Sequence, residues 1–382
     1  MLGEQVPFLE GRPVNAQDDS YYDMPGSSTQ AASLYQHAQR AVLHGLRFGA
    51  HGLPLMGTGD WNDGMNLVGH GGQGESVWLG FFLCEVLGQF AELSRSHGEA
   101  DFAERCATER EQLRTQLETH GWDGGWYRRA YFDDGTPLGS ADQAECQIDS
   151  IAQSWSVLSG MGSPERSRQA MQALQARLVK PEHGIVQLLD PPFDKAVPNP
   201  GYISGYVPGV RENGGQYTHG AIWAAMAFAK LDEHERAWAL LDMINPVRHA
   251  ADAAGAAVYK VEPYVMTADV YGVAPHTGRG GWSWYTGSAG WMYRLILESL
   301  LGLRLAVNRL HLSPCLPQEW PGFTLIYRYR ETIYRIDVTQ MGTESGLTVD
   351  GVKQTEWVIP LVDDGREHQA CLQLAVPPVQ RQ

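Results

Sequence analysis

RENGGQYTHGAIWAAMAFAKLDEHERAWALLDMI (residues 211–244) decides how the chain is read. A glycine-rich loop runs into one helix, Thr218–Leu231, and a second, Glu233–Ile244, follows at once. The unit recurs on both sides. Ser76–Ser94 reads as a buried helix and Asp101–Leu117 as its successor, with Phe102, Cys106, Leu113 and Leu117 on one face. Asp149–Leu158 is followed by Ser163–Leu178, which has serine at the cap and Pro164 at the first helical position. An earlier helix has Leu34, His37, Ala38, Ala41 and Val42 at three- and four-residue steps, and Ser288–Leu301 closes the series. Paired helices between long loops imply a mainly α chain built as an α/α toroid.

The character changes near residue 303. LHLSPCLP (310–317) and WPGFTLIYRYRETIYRIDVTQ (320–340) alternate and are rich in β-branched residues. The expected division is a helical domain over 1–303 and a small β-sandwich-like domain over 304–382. Residues 1–30 read as polar and turn-forming.

Of the 382 residues, 43% are hydrophobic and 19% charged, enough for a sizeable core and unlike a disordered chain. The formal charge of −15 argues against nucleic acid and anionic membrane as partners. No run of 18 apolar residues suggests a membrane span. The five cysteines (84, 106, 146, 315 and 371) are widely spaced, without CxxC, which suits a reducing, cytoplasmic compartment.

Three loops carry chemistry. GLPLMGTGDWNDGMN (52–66) sets Asp60 and Asp63 around Trp61, in a loop with 9 glycines in 26 residues from Gly49 to Gly74. A carboxyl beside an aromatic wall and a second carboxylate is expected to hold its proton, as a general acid must. An Asx turn with solvated aspartates fits the same spacing; an EF-hand does not. In RENGGQYTHG (211–220), Glu212 and Asn213 precede a Gly-Gly turn, and His219 opens an apolar helix where anions are favoured. A helix cap with a packed histidine fits equally. In HTGRGGWSWYTGSAGW (276–291), backbone N–H groups at Thr286–Gly287–Ser288 suit phosphate, with Arg279 as a candidate cation. A turn packing Trp282, Trp284 and Trp291 is the alternative. Tyr127, Arg128 and Arg129 either face a sugar or brace their loop. GxSxG, HExxH, GK[ST] and a strand-borne GxGxxG are all missing, which leaves nucleophile-elbow, metallo and nucleotide chemistries without support.

Together, GLPLMGTGDWNDGMN, GQGESVWLGFFL (72–83), PGYISGYVPGVRENGGQYTHGAIW (200–223) and EPYVMTADVYGVAPHTGRGGWSWYTGSAGWMYR (262–294) resemble glycoside hydrolase family 94. That family holds the cellobiose, chitobiose and β-1,2-oligoglucan phosphorylases. Within it, the chain looks most like the phosphorylase-like C-terminal region of cyclic β-1,2-glucan synthases. The resemblance implies an (α/α)6 barrel followed by a small β domain. It implies inverting transfer of a glucosyl unit between a β-glucan and inorganic phosphate, with phosphate as co-substrate and no metal or organic cofactor. Asp63 would be the acid. Trp61, Asp60, Glu212 and Tyr217 would bind sugar, and His219, Thr286 and Gly287 phosphate. Complete members have a β-sandwich, a linker and early barrel helices before this region, whereas only about 50 residues precede the acid loop here. The missing part of the fold, or a homodimer partner, is therefore an expected partner, and a cytoplasmic-side domain of a larger membrane-bound synthase an expected setting. Two other functions fit: an inverting hydrolase with Glu212 or Asp269 as base, and a non-catalytic glucan-binding or folding segment.

Overall fold

The computed structural model describes residues 1–15 and 22–375; residues 376–382 of the expected β domain lie outside this range. The chain opens with an antiparallel hairpin, Gln5–Glu10 with Gly26–Ser33, where the sequence reads as polar turns. The second strand, GSSTQAAS, buries only Ser28 and Ala32, so it carries little apolar alternation to read.

Ten helices follow. α1 (Leu34–Gly45) starts in a capping box, Ser33 and Gln36 each accepting the other's backbone N–H. α2 (Val77–Ser96) lies against α3 (Ala100–His120), α4 (Ser150–Leu158) against α5 (Pro164–Arg177), and α6 (Thr218–Lys230) against α7 (His234–Ile244). The short α8 (Pro246–His249) and α9 (Ala253–Tyr259) fall in what reads as loop. α10 (Thr286–Arg294) starts two residues earlier than its sequence suggests and continues as a wider turn, Leu295–Leu300.

α2, α4, α6 and α10 pack side by side in that order. α2 is long and apolar enough to cross a membrane by length and composition, with mean hydropathy 1.3, but 56% of that window is buried inside the protein. The sixth residue of each helix in the row is aromatic: Phe82, Trp155, Trp223 and Trp291. Successive rings stand 5.3, 5.2 and 5.5 Å apart, between centroids, mostly edge to face. This is a positional repeat hidden from sequence, because only its aromatic character recurs. Two-residue strands feed three of these helices. Glu75–Ser76 pairs with Ala130–Tyr131, Ile148–Asp149 with Leu189–Asp190, and Gln216–Tyr217 with Asp269–Val270. The long loops are thereby tied to the N-terminal end of the row.

From Leu303 the chain forms two sheets around one apolar core. Leu303–Ala306, Arg309–Leu312 and Val358–Pro360 make the first. Gly322–Tyr329, Thr332–Gln340, Glu367–Leu374, Gly346–Val349 and Val352–Lys353 make the second, in that spatial order. Glu367–Leu374 alternates strictly between exposed and buried, the mark of a sheet with one covered face. Trp238 of α7 packs on this core and donates to the Cys315 carbonyl at 2.6 Å, joining the two units.

Trp223, 3% exposed, touches Trp61, Trp78, Trp155, His219 and Trp291. Trp223→Ala should lower the unfolding free energy by ~3–5 kcal/mol, the usual range for a large buried aromatic. Urea titration measures it; a loss below ~1 kcal/mol would mean that the aromatic row is not core.

Candidate active site

The 52–66 loop is clamped at two points. Asp60 is fully buried and takes both Arg129 terminal nitrogens at 2.6 Å, the Ser76 hydroxyl at 2.7 Å and the Asn62 N–H at 3.0 Å. Burial alone would raise its pKa, but the Arg129 charge and these donors outweigh it and hold the carboxyl below the usual range. The expectation that Asp60 binds sugar is therefore corrected. Both its oxygens are engaged by the protein and the side chain is closed to solvent, and the carboxyl is ionised rather than proton-bearing.

Trp61 makes the second clamp. Its indole N–H donates to His219 Nδ1 at 3.3 Å, and its ring meets Tyr217 and His219 edge-on at 5.4 Å. Gly59 precedes the clamps with φ of +136°, a backbone setting that favours glycine. Asn62 then caps a single turn, Asp63–Met65, accepting from the Gly64 N–H at 3.0 Å. Asp63 stands exposed on that turn. Its charge reaches Tyr202 and Tyr206, whose phenols are raised first by burial and then in part by Asp63 and Glu212. The four residues thus share one rim.

His219 is held among Trp61, Trp223 and Trp291, the last two centred 4.3 and 5.4 Å away. Burial lowers its pKa to about 4, so the ring is neutral near pH 7. Because Nδ1 accepts from Trp61, the proton sits on Nε2, which is buried and has no partner among the described residues. Tyr217 and Tyr285 precede α6 and α10, and neither caps its helix with a side-chain bond. Their hydroxyls instead bond each other at 3.1 Å. Thr286 and Gly287, exposed, are the first residues of α10.

Glu212 is raised by burial, and its Oε2 has no hydrogen bond, with Arg211 Nε 3.7 Å away. Sequence reasoning passed over Arg211. Its guanidinium lies over Tyr206 at 4.7 Å, and its backbone, at φ of +53°, donates to Asp269 Oδ2 at 3.0 Å. The signal was its place beside Glu212 in a Gly-Gly turn. Arg279 lies instead over Tyr271. Asp269 is closed in, since even a methyl at Gly281 would stand 2.1 Å from its Oδ1. Tyr127, Arg128 and Arg129 all brace: Tyr127 bonds Glu118, Arg128 bonds Asp123 and two carbonyls, and Arg129 holds Asp60.

Two groups give opposite pH dependence. Folded His219 stays neutral down to about pH 4, whereas the unfolded ring takes a proton near 6.5, so stability falls as pH drops through that window. Burial pushes Asp149 up to about 6 from 3.8, so its contribution is full at low pH and fades as pH rises between those values. Between about pH 4.5 and about pH 6, His219→Gln should make the slope of stability against pH more negative and Asp149→Asn more positive, each by up to ~1.4 kcal/mol per pH unit. Urea unfolding across that range checks it; a parental slope in His219→Gln would mean that the ring is not buried neutral.

Relatives align along most of the chain. The cyclic beta-(1,2)-glucan synthase NdvB of Rhizobium meliloti (strain 1021) is 48% identical over 359 residues, 93% of this chain and 12% of the relative. The solabiose phosphorylase of Paenibacillus borealis is 33% identical, covering 96% of this chain and 46% of the relative. An N,N'-diacetylchitobiose phosphorylase of Vibrio proteolyticus is 31% identical, covering 87% and 41%. The chain thus spans less than half the length of these relatives. In fold it is similar to a sialidase, with TM-score 0.54 at 12% identity over 76% of this chain and 26% of the other. It is also similar to a GH78 rhamnosidase of Bacillus sp. GL1, with TM-score 0.50 at 15% identity over 90% and 32%. Residues 303–369 match the C-terminal domain of glycosyl hydrolase family 65. Residues 6–302 match the catalytic domain of the glycosyl hydrolase 94 superfamily, and the chain belongs to that superfamily.

Proposed function

We propose that the chain is the acid-bearing and phosphate-binding portion of an inverting glycoside phosphorylase-type enzyme. It moves a glucosyl unit between a β-1,2-glucan and inorganic phosphate. Residues 1–303 form part of an (α/α)6 toroid and 304–382 a β domain. The observation that carries the reading is His219: a neutral ring in an aromatic cage, its Nε2–H without a partner among the described residues, on α6, which packs against α10 and its uncapped start. Such a ring donates to a phosphate oxygen without adding charge, and the first backbone N–H groups of α10, at Thr286 and Gly287, supply further donors.

Asp63 gives its proton to the glycosidic oxygen while a phosphate oxygen attacks the anomeric carbon from the opposite face. Inversion of a β linkage yields α-glucose 1-phosphate. Phosphate replaces the activated water of an inverting hydrolase, so no catalytic base is needed. Trp61, Tyr217 and Glu212 line the sugar. The names of the relatives support phosphate as co-substrate and β-1,2-glucan as substrate. Of the two bases a hydrolase would have, Asp269 at 2% exposure is closed to water, whereas Glu212 keeps an oxygen without a hydrogen bond, so phosphate dependence is what separates the readings. The remaining toroid comes from further chain or a second copy, meeting the exposed Ala289, Gly290 and Tyr293 on α10. The unpaired cysteines suit action in the cytoplasm or on the cytoplasmic face of a synthase.

Asp63→Asn should cut turnover at least ~100-fold, as expected for loss of a general acid. Glucose 1-phosphate released from β-1,2-gluco-oligosaccharides is the assay; near-parental release by the mutant would refute the assignment. In the parent, release should require phosphate. Sugar release without it would favour the hydrolase, and binding without turnover the glucan-binding segment. His219→Ala should raise the phosphate KM at least ~10-fold, the effect of losing a buried ligand donor.

A further inference from the structure

We propose that Arg129 is the positioning residue of the acid loop, fixing through Asp60 where Trp61 and Asp63 stand relative to the starts of α2, α4 and α6. The proposal rests on the reading of Asp63 as the acid.

Arg129 is the largest fully buried side chain among the described residues. Its two terminal nitrogens engage both Asp60 oxygens, a fork-to-fork geometry that fixes direction as well as distance. One of them also donates to the Ser76 hydroxyl at 3.3 Å. Ser76 caps α2, accepting from the Leu79 N–H and donating to Asp60. On the other side, Arg129 Nε lies 3.4 Å from Asp149 Oδ2, and Asp149 caps α4 through the Ile151 N–H. The Arg129 main chain takes part as well, its carbonyl accepting from Val77, the first residue of α2, at 3.1 Å. Asp60 passes the constraint on, since its Oδ1 also accepts from the Asn62 N–H. Asn62 shapes the Asp63 turn, and Trp61 reaches α6 through His219. The guanidinium therefore ties one loop to two helix caps, and the loop supplies the third tie itself. A lysine keeps the charge but has one nitrogen, so it cannot hold both oxygens.

Amide hydrogen exchange read by mass spectrometry tests this in the full chain, whether or not it turns over. In Arg129→Lys, exchange across residues 59–66 should rise at least ~10-fold while α3 and α7 stay within ~2-fold, a local opening rather than global loosening. Where the parent is active, kcat should fall at least ~10-fold with KM within ~3-fold. If Arg129→Lys does not fold, Arg129→Gln combined with Asp60→Asn and Asp149→Asn leaves amides in place of the buried charges and carries the same measurement. Unchanged exchange over 59–66, or an equal rise in every helix, would overturn the proposal. Asp63→Asn separates the two claims: it should abolish turnover and leave loop exchange at the parental rate. If the parent chain does not turn over by itself, the exchange comparison still stands or falls on its own.

Discussion

A guanidinium with no access to water is tolerated only if the protein supplies the charge and hydrogen bonds that water would have given. Arg129 meets that condition at its terminal nitrogens through Asp60 and Ser76, while its Nε faces Asp149 at 3.4 Å as a charge contact without a hydrogen bond. The pair is not an obvious source of net stability, because desolvating two charges offsets most of their attraction. Its consequence is uniqueness. Each partner alone would be a buried unpaired charge, so the loop bearing Asp60 has one acceptable place. Two carboxylates share one cation here, and burial decides between them. Asp60 has the fork and stays ionised, whereas Asp149 has neither geometry nor donors enough and is raised to about 6.

The same contrast organises the rest of the site. Asp60 and Asp63 are three residues apart, yet one is sealed into the helix row and the other stands in the open. Glu212 is half withdrawn, with a spare oxygen. His219 sits where indole rings exclude water, which keeps it neutral and leaves a single directed donor. In the floor of the site charge is thus either paired, as in Arg129 with Asp60, or absent, as at His219.

Much of this was legible in sequence. The helix pairs were read from periodicity and, for α5, from its cap: Ser163 and Pro164 announced α5, and the apolar run over Ser76–Ser94 announced α2. Glycine density marked the three loops, because backbones that turn tightly beside buried groups leave no room for a side chain, as at Gly281. The opening hairpin was missed because its second strand buries almost nothing apolar. The role of Asp60 was missed because its partner lies 69 residues away, and a residue type does not declare what the fold will set beside it. Arg129 itself sat in a Tyr-Arg-Arg run whose two readings, bracing and binding, differ only in which way the side chains turn.

The row of helices divides its own labour by capping. α2 and α4 begin with Ser76 and Asp149, whose side chains satisfy their first N–H groups and also contact the Arg129–Asp60 pair. α6 and α10 begin with tyrosines that bond each other instead of capping, and the first N–H of α6 donates to the Ala268 carbonyl at 2.8 Å. Four helices that present an aromatic at the same turn thus differ at their first residue. Two ends have side-chain caps that also hold the loop, and two, at Thr218 and Thr286, have none. The exposed, uncapped start of α10 and the unpartnered imidazole N–H on the adjoining α6 are both donors of the kind that an anion accepts from.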